Sequence, residues 1–357
     1  MRKHGACIAA VVAAVTLIGP TAIAAAHTRR NDANPGKHSF IVVNRHDQRV
    51  SLYVQHGRRI AAARAAACPP GGPFTNSSTA CTPPVEQNLF GAYASSGGKV
   101  TFGSTTSSTC TALGWTGEPC GVYTTVPNTL IVAFVGATGG SGQSMTVSCK
   151  TASSGSCPVT FHKVVSSDIS VNSTGGDSEV WYADAGNVIS KSAPIFVTAT
   201  ANKKDSSDVS LQAVTFTNAI AAGANGSQAT GIGASSACAV SRGAPSCSLT
   251  TTEPDSLVWA ALNDPADDAI PVWPSNQFAI GVASGANDDT FYSQFLGTCT
   301  SNANGSKPCT TMALPASGLY QNPYVLAPTA SPVGTKVTIN DTAPTTEPYD
   351  EAVVEIL

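Results

Sequence analysis

The cysteines of this 357-residue chain lie in close pairs along the sequence, and this pattern constrains the fold more than any other feature. Of the eleven cysteines, Cys7 stands alone near the N-terminus, and the other ten show successive spacings of 13, 10, 8, 9 and 10 residues. The five pairs are Cys68/Cys81, Cys110/Cys120, Cys149/Cys157, Cys238/Cys247 and Cys299/Cys309. Each spacing contains glycine, serine, proline or threonine, as expected of a loop whose neck is closed by a disulfide. We predict these five sequential disulfides, although ten cysteines alone permit many other pairings.

Metal binding is the alternative explanation of paired cysteines, but no pair has the C-x-x-C spacing of common zinc sites. Persistent disulfides form outside the reducing cytoplasm. The N-terminus agrees with this, since a short basic head is followed by an uncharged apolar run over residues 6–19 and by three alanines at residues 24–26. We therefore predict a signal peptide over residues 1–26, whose removal leaves an even number of cysteines. The mature protein is expected to be secreted and extracellular, without a transmembrane segment.

The composition predicts an all-β protein. Only 11% of the residues are charged, and the apolar stretches are short, β-branched and separated by glycine, proline, asparagine or aspartate. We predict an antiparallel β-sandwich with a jelly-roll-like or Greek-key connection over residues 128–357 and with disulfide-stapled loops. Strands are expected over residues 129–135, 177–182, 193–198, 209–216, 255–262, 336–339 and 351–357. The side chains expected in the core are Phe134, Trp181, Phe196, Phe216, Trp259 and Ile339.

Charge divides the chain near Cys68. Residues 27–67 carry a net charge of +6, whereas residues 68–357 carry −11. The basic N-terminal arm, 27–67, could bind acidic envelope polymers, or it could be a solvated leader. Residues 68–127 are rich in loop-forming residues and hold two of the predicted staples. This segment is either a small subdomain or an insertion between early strands of the sandwich.

Several motifs after Asn128 follow one another in a familiar order. They are NTLIVAFVGA (128–137), SEVWYADA (178–185), DVSLQAVTFTNA (208–219), CSLTTTEPDSLVWAALND (247–264) and GTKVTINDTAPTTEPYDEAVVEI (334–356). In this order they resemble a β-sandwich module of secreted bacterial proteins of Gram-positive type. That module occurs alone or beside Ig-like, fibronectin-like and carbohydrate-active domains. The resemblance implies a sandwich fold, a secreted context and a non-catalytic binding role.

Residues suited to catalysis are few. His162 is the one histidine beyond the basic arm of the mature chain, and neither G-x-S-x-G nor H-E-x-x-H is present. Carboxylates could act in pairs in a glycoside hydrolase, but no spacing singles out a pair. The candidates are Asp264, Asp267, Asp268, Asp288, Asp289, Asp341, Asp350 and Glu355. We therefore do not expect an enzyme.

Two patterns favour binding. The acidic loop containing Asp264, Asp267 and Asp268 offers the hard oxygens that calcium prefers, although turn formation also explains it. Calcium in a structural role is the one cofactor considered. Trp115, inside the Cys110/Cys120 loop, and Trp273, between two prolines, could stack on a sugar ring, or they could fold back over a sheet edge.

These patterns predict a secreted binding or adhesion module without catalytic activity, with surface or extracellular glycans or another cell-envelope polymer as its partner. A purely structural envelope or matrix protein is the alternative hypothesis, and a secreted glycoside hydrolase is the least favoured one. No nucleic-acid partner is expected.

Overall fold

The structure is a computed structural model of the chain. It describes residues 85–94, 96–106, 108, 110, 119–140, 142–153, 155–169, 175–203, 208–217, 219, 231–253, 256–265, 271–284, 290–302, 313–314, 318–321, 324–329 and 331–357, together with six short N-terminal strands. The chain divides into two compact units. The first contains residues 1–67 and 78–81, and the second contains residues 68–77 and 82–357. The boundary near Cys68 coincides with the change in charge.

The described backbone of the first unit is made of short strands. They are β1 (Val15–Thr16), β2 (Ile23–Ala24), β3 (His27–Arg30), β4 (Lys37–Val43), β5 (Arg49–Gln55) and β6 (Arg58–Arg59). β1 pairs with β2, and β3 to β6 form an antiparallel sheet in chain order. Lys37 in β4 lies opposite Gln55 in β5, so most of the basic segment is organised as a hairpin with flanking strands.

The second unit is also all-β in its described residues. Its strands are β7 (Val85–Ala94), β8 (Lys99–Phe102), β9 (Thr129–Thr138), β10 (Met145–Thr151), β11 (His162–Ile169), β12 (Gly176–Ala185), β13 (Ile195–Ala201), β14 (Val209–Thr217), β15 (Ile232–Val240), β16 (Ser246–Thr250), β17 (Leu257–Asp264), β18 (Gln277–Ser284), β19 (Thr290–Asn302), β20 (Ala313–Leu314), β21 (Gly318–Gln321), β22 (Tyr324–Pro328), β23 (Lys336–Asn340) and β24 (Tyr349–Ile356). The pairings are antiparallel except between β18 and β20.

These strands form two inner and two outer sheets. The first inner sheet has the order β11-β12-β9-β14-β7-β21, and the first outer sheet has the order β10-β13-β8. The second inner sheet has the order β15-β24-β17-β19-β18-β20, with β22 paired to β19, and β16 and β23 form the second outer sheet.

The two halves of this unit repeat one topology. In the first half β7 pairs with β14, β14 with β9 and β9 with β12, while β8 and β13 pair in the outer sheet. In the second half β15, β24, β17 and β19 follow the same order, while β16 and β23 pair in the outer sheet. An inner sheet with the first strand beside the last, covered by a second sheet, is a jelly roll. The second unit is therefore a pair of jelly rolls, and side chains from both of their inner sheets form one apolar cluster.

Apolar side chains fill the three spaces between these four layers. In β9, Ile131 and Val135 pack toward the first outer sheet, whereas Leu130 and Phe134 pack toward the second inner sheet. A third cluster, which includes Val258, lies between the second inner and second outer sheets. Since both faces of the inner sheets are covered, β9, β14, β17 and β24 are buried along their whole length. This explains why β9 is a continuous apolar run instead of an alternating one.

The predicted fold class is confirmed, with two differences in extent. The sandwich begins at Val85, not at residue 128, because β7 and β8 pair with β14 and β13 inside the sheets. Residues 128–357 also form parts of two jelly rolls instead of one sandwich. Of the predicted core side chains, five are buried and Trp181 is half-buried. The indole N–H of Trp181 donates a hydrogen bond to Glu179 at 2.6 Å.

Candidate functional site

A groove lies on the solvent-facing side of the first outer sheet. It has a volume of about 420 Å³, and its lining includes Lys99, Thr101, Lys150, Phe196, Thr198 and Thr200. We call it the hydroxyl groove. It depends on the alternation of the three strands, because most inward apolar residues are followed by an outward polar one. In β8, for example, Val100 and Phe102 are buried while Lys99 is exposed.

Strand register arranges the outward side chains of this face in rows. Thr200 lies opposite Lys99 on one side and Thr146 on the other. Thr198 in the next row lies between Thr101 and Ser148. The hydroxyl oxygens of Thr101 and Thr198 are 2.8 Å apart and share a hydrogen bond. This bond fixes the two rotamers, so the floor of the groove presents an ordered set of hydroxyl groups.

One end of the floor is formed by an aromatic ring over a glycine. Phe196 lies opposite Lys150, and a Cβ placed on Gly103 would meet its Cδ1 atom at 2.3 Å. Gly103 also has φ of 126°, which L side chains rarely adopt. The ring therefore occupies the space above Gly103, and although Phe196 points away from the inner cluster it is only 6% exposed. The predicted burial of Phe196 is right, but its ring lies on the outward face of the sheet.

Two ammonium groups stand at opposite ends of the groove. Lys99 and Lys150 are both exposed and lie at diagonal corners of the rows. Within the described residues the ion pair that forms joins Lys163 to Glu179, away from this face. The groove is thus a positively charged surface, although residues 68–357 together carry a strong net negative charge.

Two disulfides border the groove. Cys149 lines it and pairs with Cys157, with a Cα–Cα distance of 5.2 Å. Cys110 pairs with Cys120 at 5.4 Å, and the backbone of Cys120 pairs with that of Ser104 in the groove wall. A third predicted disulfide, between Cys238 and Cys247 at 5.5 Å, joins β15 to β16. These three predictions are confirmed.

The other two predicted disulfides cannot be compared in the same way. Cys68, Cys81 and Cys309 lie outside the described residues, and only the backbone is described at Cys299. The pairings Cys68/Cys81 and Cys299/Cys309 stay predictions.

The second outer sheet carries a smaller version of the same face. Ser248 lies opposite Thr338, with hydroxyl oxygens 2.8 Å apart, and Thr250 lies opposite Lys336. The duplicated topology therefore repeats a hydrogen-bonded hydroxyl pair beside a threonine–lysine pair. This sheet has two strands instead of three, so it has no strand corresponding to β10, which carries Ser148 and Lys150.

Of the two predicted binding tryptophans, the structure describes Trp273, which is not among the residues that line this groove. Trp273 is half-buried, and its ring packs edge-on against Phe278 with centroids 5.7 Å apart. This position corresponds to the packing alternative for Trp273. Trp115 lies outside the described residues, so its role as a ligand-binding residue stays a prediction.

The predicted calcium loop is described only at its first residue. Asp264, at the end of β17, is 3% exposed, while Asp267 and Asp268 lie outside the described residues. In the described part of the chain, no three histidine, cysteine, aspartate or glutamate side chains are grouped to hold a metal ion. The calcium site therefore stays a prediction.

The described acidic candidates for catalysis are buried. Asp341 is 3% exposed and accepts a hydrogen bond from the hydroxyl of Tyr292, while Asp350 is fully buried and accepts one from Asn263 at 3.1 Å. Burial raises the pKa of Asp341 to about 7 and raises the pKa of Asp350 well above the usual carboxyl range. Since these groups lie between sheets, a polymer on the surface would not reach them. Asp288 and Asp289 lie outside the described residues.

Glu355 is also buried, but hydrogen bonds shift its pKa in the opposite direction. Burial tends to raise its pKa, but hydrogen bonds from the Ala234 N–H, the Ser256 hydroxyl and Thr252 outweigh burial, so the pKa lies below its ordinary value. The distances from these donors to the carboxylate oxygens are 2.7 to 2.9 Å. This carboxylate ties β24 to β15 and to the turn before β17.

No protein-family model, curated protein or solved structure matches the chain. The fold and the site therefore define its class by themselves, as an all-β protein of two jelly rolls with a hydroxyl-lined groove on an outer sheet. Within the described ranges, no helix is long and apolar enough to cross a membrane.

Sequence reasoning missed both the groove and the duplication. The groove combines residues from β8, β10 and β13, which are separated by up to about a hundred positions, and only strand register brings them together. A usable signal was the alternation in KVTF (99–102), MTVSCK (145–150) and IFVTAT (195–200), each with outward lysine or threonine residues.

Proposed function

We propose that this protein is a secreted, non-catalytic binding module for extracellular glycans, and that the hydroxyl groove is its binding face. The observation that carries the proposal is the ordered row of Thr101, Thr198 and Ser148 on a rigid three-stranded sheet. A glycan presents many hydroxyl groups that can form hydrogen bonds with these side chains, and fixed rotamers reduce the entropy lost when such bonds form. The lysine ammonium groups and the threonine and serine hydroxyls of the groove supply hydrogen-bond donors and positive charge for binding a glycan.

The secreted location in this proposal is supported by the signal-like N-terminus and by three disulfides, since disulfides persist in oxidising compartments. The two staples beside the groove restrain its walls. A binding face of this kind needs a stable surface in a medium that holds proteases and varies in pH and salt. A purely structural role predicts the same staples but no ligand.

The test is binding of the oxidised protein to an array of neutral and anionic extracellular polysaccharides, followed by calorimetric titration of the polymers that bind. We expect Thr198→Val to weaken binding by about fivefold, since valine keeps the shape but removes a hydroxyl from the floor. Thr338→Val is the matched control, because it removes an equivalent 2.8 Å hydrogen bond on the other outer sheet. Loss of binding in both variants alike would place the ligand elsewhere.

A second outcome separates the two leading hypotheses. If the folded wild-type protein binds none of the polymers, the binding proposal fails and a structural envelope or matrix role becomes the better explanation. Release of reducing sugars from a bound polymer would instead support a hydrolase. Either result can be read without reference to the variants.

A further inference from the structure

We infer that the hydroxyl groove selects extended glycans that carry negative charges, and that Lys99 and Lys150 read those charges. This inference rests on the proposed function, because it names the ligand class of the same groove. Both lysines are exposed, both belong to the lining, and the described ion pair of the chain lies elsewhere. The described lining residues include these two lysines and no carboxylate. The groove therefore carries a local positive charge that complements an anionic polymer.

The positions of the lysines indicate an extended ligand. Lys99 is in the first row of the face and Lys150 is in the third, on opposite edge strands. From the spacing of residues and strands in a sheet, their Cα atoms are separated by about 16 Å. A single sugar cannot contact both ammonium groups, whereas a chain of several sugars lying diagonally across Thr198 can. The required ligand therefore has at least two anionic groups separated along one chain.

The ends of the groove differ in a way that favours one orientation. The Lys99 end is surrounded by Thr101 and Thr200, whereas the Lys150 end lies beside the Phe196 ring. Hydroxyls donate hydrogen bonds to sugar hydroxyls and accept hydrogen bonds from them, whereas the Phe196 ring is only 6% exposed and leaves little surface for a sugar to stack on. Hydrogen bonds to sugar hydroxyls are therefore expected mainly at the Lys99 end of the groove, and at the other end Lys150 supplies the contact with an anionic group.

The experiment compares charged polymers with neutral forms of the same backbone. Hyaluronan and polygalacturonate are titrated against their carboxyl-reduced derivatives, and a glycerol-phosphate teichoic acid provides phosphate in place of carboxylate. We expect at least one charged polymer to bind more tightly than its neutral counterpart, with affinity falling as salt is raised. Lys99→Gln and Lys150→Gln should each weaken that binding roughly two- to fivefold, as expected for one exposed ion pair.

Lys336→Gln is the matched control, since Lys336 is an exposed lysine opposite a threonine on the second outer sheet. An equal loss in this variant would mean that binding follows overall charge, which overturns the inference. Equal binding of charged and neutral polymers, with no effect of the lysine substitutions, also overturns it but leaves the proposed function standing. Absence of binding to every polymer by the folded protein removes the proposed function and the inference together. The teichoic acid result decides whether phosphate or carboxylate is the preferred anion.

Discussion

At the scale of single residues, Glu355 accepts hydrogen bonds from several donors at once. Its carboxylate accepts hydrogen bonds from residues before β17 and in β15, so it links three segments that are distant in sequence. We expect Glu355→Ala to lower the free energy of unfolding by about 3 kcal/mol, since the buried Ser256 hydroxyl and several less buried donors lose their acceptor at once. Denaturant unfolding followed by tryptophan fluorescence measures this loss.

A matched substitution is available close by. Glu347 is partly exposed and accepts a hydrogen bond from the neighbouring Thr346 hydroxyl at 2.9 Å. Glu347→Ala should change the free energy of unfolding by less than about 1 kcal/mol. Similar losses in both variants would show that the Glu355 network contributes little.

Asp341 gives a residue-scale prediction about pH. Its pKa is about 7 in the folded protein because of burial, against about 4 for an unfolded aspartate. The folded state therefore holds this proton more tightly, and the stabilisation is fully present below about pH 4 and is lost as pH rises toward 7. We expect Asp341→Asn to reduce the fall in unfolding free energy between pH 5 and pH 7 by about 2 kcal/mol. An unchanged pH profile in the variant would contradict the assignment.

At the scale of elements, the disulfide between β15 and β16 should contribute measurably to the free energy of unfolding. Cys238 and Cys247 close a short loop and join the second inner sheet to the second outer sheet. A closed loop of this length contributes about 2.5 kcal/mol in the chain-entropy model. The double substitution of Cys238 and Cys247 by serine should lower the unfolding free energy by that amount under non-reducing conditions. With reductant present throughout, the variant and the reduced wild type should unfold at nearly the same denaturant concentration.

The elements also show how far the sequence could predict the fold. The strand at 129–138 was predictable because burial on both faces makes it a continuous apolar run. The terminal strand, predicted over residues 351–357, was predictable too, and the structure places β24 between β15 and β17. β7 escaped prediction because Gly91 and the polar residues before Leu89 interrupt its apolar pattern. The groove could not be predicted, since it depends on the register of three strands that are far apart in the chain.

The burial of Asp350 and Glu351 could not be predicted from the sequence either. Asp350 and Glu351 were expected at the start of a strand or in its neighbouring turn, where carboxylates are usually solvated. They are fully buried because β24 is covered on both faces, and this coverage follows from the second jelly roll. Nothing in the local sequence distinguishes such a residue from a solvated one.

At the scale of the whole molecule, several buried carboxyls shift stability in one direction. Burial raises the pKa of Asp177, Asp341, Asp350 and Glu351, and the neighbouring Glu179 raises that of Asp177 further. Each of these groups contributes stability below its unfolded pKa and loses it as pH rises toward the folded value. Glu355 acts oppositely, since its lowered pKa gives stability above its unfolded pKa that is lost as pH falls. We expect a higher melting temperature at pH 5 than at pH 8, measured by calorimetry at constant ionic strength. A lower melting temperature at pH 5 would contradict this balance.

The contact between the two inner sheets should make the jelly rolls unfold together. Trp259 of the second inner sheet stacks on Phe295 at 4.5 Å and on Phe134 of the first inner sheet at 5.7 Å, so the two halves share one apolar cluster. At the polar end of the same contact, a Cβ on Gly176 would meet Asn263 Nδ2 at 2.0 Å. Asn263 cannot move away freely because it donates to buried Asp350.

We therefore expect Gly176→Ala to lower the unfolding free energy by about 2 to 3 kcal/mol, as overpacking of a buried contact does. Gly186→Ala is the control, because its added Cβ would meet nothing within 4 Å and its φ is not positive. Wild type should give a single urea transition by both tryptophan fluorescence and far-UV circular dichroism, since a shared core couples the two halves. Two separate transitions in wild type would show that the two jelly rolls unfold independently. Equal stability of the two glycine variants would show that the contact between Gly176 and Asn263 contributes little to stability.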